Sequence, residues 1–303
     1  MKIFTENTSL IIPTRNRPYQ VINLLKQFKL LKVNFFEILI IDSSDLKQNK
    51  ILKELAKKFK VRLFHTIPST SFQRNYGLIK KKQKTEYVMF LDDDVIFFQD
   101  AFYEMNKLIL KYKKDSSISC FGFNQIHKNL KKNPIETLKH SKLIKFLGIY
   151  SDQPGLVLRT GWHTKILNVK KNSYVDWMYT TACIYKSKVI NCLRFDESLG
   201  KYSYLEDLDF SLNLKKIKKK IIISNLARFK HPLNIDRSGF LFGIAEVFNR
   251  YKIVKKYNLS IPFFFIGVFL RFLLSLLGII KFNKNLFLRA LGNILGVIKC
   301  LKI

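Results

Sequence analysis

The chain has 303 residues, with 54 Lys and Arg against 22 Asp and Glu, a formal net charge of +32. A hydrophobic content of 48%, with 27 Phe, excludes a disordered basic tail, and 12 Gly, 7 Pro and 4 Cys exclude collagen, coiled-coil and disulfide-scaffold classes. The length suits one large domain or two small ones with a real core.

The start, Met1 to Asn7, carries Glu6 and Asn7 where a signal peptide needs its apolar stretch, so no N-terminal export is expected. Short apolar runs over 8–13, 36–42, 61–65 and 87–91 read as strands. Between them, 19–31, 47–59, 72–82 and 100–112 have helical spacing. Val21, Leu24, Leu25 and Phe28, for example, share one face. Such alternation predicts an α/β fold, a Rossmann-like, mostly parallel sheet flanked by helices. Residues 124–172 show little periodicity and read as an irregular insert. A strand-like Tyr174–Tyr185 follows, then a helix from about Tyr204 to Ile217, then two short strands over 221–224 and 227–230.

The last 68 residues hold eleven Lys or Arg and two acids, yet run strongly apolar. Ile261 to Ile280 is long enough for a membrane span, with one charge, Arg271. A central Arg costs about 2.5–3.5 kcal/mol on an insertion scale. Leu286 to Leu301 places Arg289, Asn293 and Gly296 on one side. Interfacial amphipathic helices account for both stretches, as does a hairpin with Arg271 facing a partner helix. The plain alternative is a buried helix on the catalytic domain. The expected division is 1–235 as catalytic domain (nucleotide half about 1–123, acceptor half about 124–235) and 236–303 as a helical, membrane-associated region.

Cys120, Cys183, Cys192 and Cys300 form no CxxC pair, which points to a reduced, intracellular chain. The charge points to a polyanionic neighbour: nucleic acid, an anionic membrane surface or phosphate-bearing substrates. Polar residues gather at the carboxyl ends of the predicted strands, where open α/β sheets bind ligands. Asp92, Asp93 and Asp94 follow the fourth strand. Asp92 and Asp94 point the same way if the chain stays extended, a natural pair for a divalent cation bridging a diphosphate. Glu206, Asp207 and Asp209 open a predicted helix, where the dipole favours carboxylates, and Asp207 is a candidate general base. Arg15 and Arg17 between Pro13 and Pro18, and Arg74 with Asn75, supply guanidinium groups suited to phosphate.

In this order the motifs resemble family 2 glycosyltransferases, which have the GT-A fold. The stretches are Ser9 to Pro18, Ile40-Ile41-Asp42, Gln73 to Gly77, Phe90 to Asp94, Val175-Asp176-Trp177, Phe195-Asp196-Glu197, Glu206 to Asp209, and His231. The closest flavour is bacterial and rhamnosyltransferase-like. The resemblance implies an inverting transfer from a nucleotide-diphosphate sugar to a hydroxyl of a saccharide or lipid-linked acceptor in cell-surface polysaccharide synthesis. Pro13, Thr14, Arg15, Arg17, Arg74, Asn75, Asp92 and Asp93 then line the donor site, and Asp42 holds the base. Asp94, Asp92 and His231 hold Mg2+ or Mn2+. Asp207, with Glu206, is catalytic. Asp176 and Trp177 meet the acceptor.

The sequence departs from the family's pattern at Ser43-Ser44-Asp45, where a Gly is usual, at Thr180-Thr181-Ala182, and at Asn213. The expected location is the cytoplasmic face of the cell membrane, held by anionic lipid, with no nucleic-acid partner. Two other readings stay open: a nucleotidyltransferase on a related sheet, and a nonenzymatic basic membrane- or nucleic-acid-binding protein. Lysine runs such as Lys80-Lys81-Lys82 and Lys218-Lys219-Lys220 are scattered rather than grouped, and no Gly-rich loop opens the first strand.

Overall fold

The computed structural model describes residues 3–82, 84–127, 145, 148, 150–200, 203–232, 239–276 and 283–302. They fall into two compact units, 1–127 with 166–232, and 128–165 with 233–303.

The first unit starts with the expected alternation. Strands β1 (Thr8–Thr14), β2 (Glu37–Asp42), β3 (Arg62–His65) and β4 (Tyr87–Leu91) are joined by α1 (Pro18–Leu30), α2 (Leu46–Phe59) and α3 (Thr70–Lys80). The helix boundaries have local causes. Pro18 sits in the first turn of α1, Lys60 closes α2 in the left-handed region, and the Ser69 hydroxyl accepts from the Phe72 amide to cap α3. Val21, Leu24, Leu25 and Phe28 are the buried face of α1. The four strands pair in parallel, in the order β3-β2-β1-β4. The chain therefore builds outward from β1 and then jumps to its other side, leaving a switch point between the carboxyl ends of β1 and β4.

Beyond β4 the sheet continues through β8 (Ala182–Lys186), β6 (Ile118–Gln125), β9 (Lys220–Lys230) and β5 (Ile96–Phe97), with β7 (Ser173–Val175) also on β9. Here β8 runs antiparallel to both β4 and β6, while β6 and β9 are parallel. Three sequence expectations change. First, β6 lies inside the sheet, although no strand was read there. Ser119, Gly122 and Asn124 break its apolar run, but every one of its residues is buried. A Cβ on Gly122 would come within 2.5 Å of the Met178 sulfur, so glycine lets Met178 pack directly on the strand. Second, the stretch Tyr174–Tyr185 is two strands separated by an irregular 176–181. Third, the two short strands over 221–230 are one strand. Its register shifts against β6 between Gly122 and Asn124, where Asn124 Nδ2 donates to the Asn225 carbonyl.

Phenylalanine explains much of the core beneath this sheet. Phe102, on α4 (Ala101–Lys111), has Phe4, Phe28, Phe35, Phe97 and Phe123 around it at 4.6–6.4 Å between ring centroids. Burying each such ring is worth about 1.5–3 kcal/mol. Short α5 (Ser187–Ile190) follows β8, and α6 (Glu206–Lys216) precedes β9.

The second unit contains α7 (Gly239–Lys256), α8 (Ile261–Leu276) and α9 (Lys284–Leu301). Residues 277–280 of the long apolar stretch lie outside the described residues. Among the described residues no helix is long and apolar enough to cross a membrane. Small residues bring α7 and α9 together. A Cβ on Gly292 would fall 2.1 Å from the Phe240 carbonyl oxygen, and one on Gly243 2.4 Å from that of Arg289. Arg271 has a partner within the unit. Its Nε lies 3.3 Å from Oε1 of the buried Glu246, whose carboxylate Arg289 also grips through Nε at 2.9 Å and Nη2 at 2.6 Å.

Candidate active site

The switch point gathers the acidic triplet. The Thr14 hydroxyl, at the end of β1, donates to Asp93 Oδ2 at 2.6 Å, joining the two strand ends across the crevice. Gln73 braces the same region from α3, donating from Nε2 to the carbonyls of Thr14 at 2.9 Å and Ile41 at 2.6 Å. Arg17 reaches over from the β1–α1 loop, with Nη1 3.2 Å from Asp93 Oδ1 and 3.0 Å from Asp94 Oδ2. The Asp92 amide donates at 2.9 Å to the carbonyl of Thr181, the residue that leads into β8, which sets the first residue of the triplet.

Charge is shared unevenly among the three carboxylates. Burial pushes Asp93 up to about 6, against the Thr14 hydrogen bond and the Arg17 charge. Asp94 is also partly buried, yet His231 and Arg17 outweigh that and hold it below the ordinary Asp value. Nε2 of His231 lies 2.8 Å from Asp94 Oδ1 and 3.9 Å from Asp92 Oδ2. Burial opposes charge on this imidazole, but its bond to Asp94 and the charges of Asp92 and Asp94 raise its pKa above the usual His value. A residue 137 positions after Asp94 is thus brought into its carboxylate by the end of β9.

The acidic helix start reaches the triplet through Arg74. This guanidinium is 3% exposed, with Nη2 3.1 Å from Asp92 Oδ1 and Nη1 on Glu206 Oε1. Glu206 Oε2 also accepts from Ser71 Oγ at 2.9 Å. Burial, with the Asp207 charge beside it, lifts Glu206 to about 7 despite Arg74. The chain enters α6 through Ser203 and Leu205, both at positive φ (50° and 73°). A leucine there is a strained conformation of the kind that clusters at functional sites. It sets Glu206 and Asp207 in the first turn, where Asp207 Oδ1 accepts from the Leu208 amide at 2.8 Å. Gln73 lies in a motif stretch without a role assigned to it, and Ser71, Ser203 and the Leu205 backbone carried no signal of their own in the sequence. Long-range contacts are what give Ser71, Gln73 and Ser203 their roles.

The other candidates separate. Asp42 is fully buried. Oδ1 accepts from the amide and hydroxyl of Ser44, and Oδ2 accepts from Asn49 Nδ2 at 2.6 Å with His65 Nδ1 3.2 Å away. The loop without the usual Gly therefore folds back onto Asp42, leaving His65 as the half-exposed member of the group. Asn75 braces the backbone of Phe195, donating to its carbonyl at 2.9 Å and accepting from its amide at 2.8 Å. Pro13 is buried in β1, and Arg15 is exposed beside it. Asp176 accepts from Lys215 Nζ at 2.6 Å. Trp177 lies inside, 1% exposed and edge-on to Tyr179, so a sugar does not reach its face here.

Among the described residues, no three His, Cys, Asp or Glu side chains are grouped as a formed metal site. The donor types nevertheless suit a hard divalent cation. Asp92 and Asp94 offer oxygen donors, and in this structure Arg17 and His231 supply the positive charge at Asp94.

The family model for Glycosyl transferase family 2 matches residues 9–170, more than half of the chain. This chain belongs to glycosyl transferase family 2. No curated protein matches it in sequence. Among solved structures, the mannosyltransferase PcManGT from Pyrobaculum calidifontis, in complex with GDP-Man and Mn2+, is similar with a TM-score of 0.54 and 12% identity, covering 97% of this chain and 87% of that one. GalNAc-T7 with UDP, GalNAc and Mn2+ gives 0.55 and 14%, covering 83% and 48%. S. aureus TarS gives 0.48 and 16%, and this family 2 chain spans only 42% of its length. At these identities the first two likenesses bear on the fold, which is of the GT-A type, and the third adds nothing to it. Glu206, Asp207 and His231 lie beyond the segment matched by the family model.

Proposed function

We propose that this glycosyltransferase moves a sugar, with inversion, from a nucleotide-diphosphate donor to a hydroxyl of a saccharide or lipid-linked glycan acceptor in cell-surface polysaccharide synthesis, at the cytoplasmic membrane face. One observation carries the reading. The acidic triplet at the switch point is tied on one side to Arg17 and His231, and on the other, through buried Arg74, to the helix start that bears Asp207.

In this reading the diphosphate rests at the switch point, where Arg17 places positive charge against the oxygen that departs. Asp94, Asp92 and His231 would hold a divalent cation, whose chemistry is to neutralise the leaving diphosphate. Asp207 takes the proton of the acceptor hydroxyl. The freed oxygen forms its bond to the anomeric carbon from one face as the bond to the phosphate oxygen breaks on the other, and the electron pair leaves with the nucleoside diphosphate. Glu206 keeps Arg74 in place and thereby orients Asp92. PcManGT and GalNAc-T7, solved with nucleotide or nucleotide-sugar and Mn2+, support the donor class and the cation.

The test is calorimetric titration with UDP, dTDP and GDP, each with and without Mn2+, on the native chain and on Asp94→Ala. Metal-dependent binding of one nucleotide, lost in the variant, is the expected result. Well-folded protein that binds none of them sinks the reading.

A further inference from the structure

The C-terminal helices bury polar side chains beside a small apolar core of Val247, Val254, Phe264, Val268 and Cys300. Glu246, Asn249, Arg250, Ser275 and Asn293 are buried to 6% exposure or less. A second set of large apolar residues faces outward. On α9, Phe287, Leu291, Ile294, Ile298 and Leu301 recur every three or four residues and are 39–74% exposed. The inward side of that helix is Ala290, Gly292, Asn293, Gly296 and Cys300. On α8, Ile266, Phe269 and Leu273 form a second stripe, 39–59% exposed, opposite the buried Phe264, Gly267 and Val268. A surface helix of a water-soluble protein has the reverse of the α9 arrangement and no outward stripe like that of α8. Two contiguous apolar stripes of this kind mark a surface that something covers.

Charge says what covers it. Lys284 and Lys302 are exposed at the two ends of the α9 stripe, and no exposed position from 286 to 298 is charged. The last 68 residues carry eleven Lys or Arg and two acids. We propose that α8 and α9 dock on the surface of an anionic phospholipid bilayer, their stripes in the acyl boundary and the lysines at the ends of α9 among the headgroups. The stripe from Phe287 to Leu301 is about 21 Å long, short of the roughly 30 Å hydrocarbon core. A crossing would also carry the Glu246–Arg271–Arg289 cluster into hydrocarbon. The helices therefore lie on the membrane. This deepens the transferase reading, on which it rests only for the idea that the acceptor is met at that surface.

The experiment is co-sedimentation of the full chain with vesicles of phosphatidylcholine alone and with about 30% phosphatidylglycerol. The comparison is with a Phe269→Ser, Ile294→Gln double variant whose helicity is checked by circular dichroism. Expected are preference for the anionic vesicles, at least a roughly tenfold loss of partitioning in the variant, and residual binding of the native chain at high salt. Undiminished binding by the folded variant overturns the proposal. So does complete loss of native binding at high salt, which would make charge the only attraction. Self-association that the variant abolishes, with no vesicle binding, assigns the face to a second copy and overturns it as well. Nucleotide titration of the same two proteins keeps the readings apart: absent nucleotide binding sinks the transferase reading whatever the vesicles show.

Discussion

Arg74 is the residue on which the site turns. A buried guanidinium costs several kcal/mol in desolvation, and two carboxylates, Glu206 and Asp92, offset it. Burial alone would lower its pKa, yet Glu206 and Asp92 raise it. Arg74→Met should cost about 3–5 kcal/mol in denaturant unfolding, because it strands Glu206 without its cation. Arg74→Met with Glu206→Gln should lose less than the sum of the single losses, a coupling that a double-mutant cycle measures. Additive losses would mean that the pair does not act as a unit. Asp207 has a different role. Asp207→Asn preserves shape but removes the proton acceptor, so turnover should fall about 10²–10⁴-fold while nucleotide affinity holds within about twofold. A fall in affinity that matches the fall in turnover would move Asp207 from catalysis to binding.

At the scale of elements, the C-terminal helices are fastened by Glu246 on α7. Burial alone would raise its pKa, but Arg271 and Arg289, with Arg250, pull it down to about 2. A folded-state pKa below the unfolded value near 4.5 makes the charged carboxylate stabilising. The contribution, about 3 kcal/mol at most, is complete above pH 4.5 and lost as the pH falls toward 2. Urea unfolding of the native chain against Glu246→Gln should show a gap near neutral pH that narrows steadily between those values. A gap independent of pH would show that packing, not charge, is what Glu246 supplies. Packing is nonetheless close here, since Gly243 and Gly292 let backbone meet backbone between α7 and α9. A Gly292–Gly296 pair in an apolar helix is often read as a dimer contact, and in this chain it seats α9 on its own neighbour.

For the whole molecule, a formal charge of +32 repels itself. Raising NaCl from about 20 mM to about 300 mM should therefore raise the thermal midpoint by a few degrees, as scanning calorimetry reads it. A lowered midpoint would mean that surface ion pairs matter more than repulsion.

How much of this was legible in the sequence depends on how local the cause is. The parallel half, β1 to β4 with α1 to α4, follows from periodicity, because each helix stripe and each apolar strand is written in consecutive residues. The placement of Asp92, Asp93 and Asp94 at a strand end was legible for the same reason. The antiparallel half was not. β6 is buried on every residue despite Ser119, Gly122 and Asn124, because neighbours distant in sequence enclose it, and the β9 bulge exists only against β6. Trp177 and Asp42 carry motif positions, but tertiary contacts put one in the core and enclosed the other in protein hydrogen bonds.

The sequence by itself determined the alternation that makes an α/β sheet, the acidic triplet, the acidic helix start and the excess of positive charge. The first three are properties of short windows, and the charge is a sum over the chain. Only the tertiary structure decided that Arg74 joins Glu206 to Asp92, that His231 meets Asp94, and that Glu246 answers Arg271 and Arg289. The pairs within the catalytic unit are 18 to 137 residues apart along the chain, and those on Glu246 are 25 and 43 apart. Charge pairing at such separations follows from where the backbone brings the side chains and from how much water is left around them, and neither is written in local pattern.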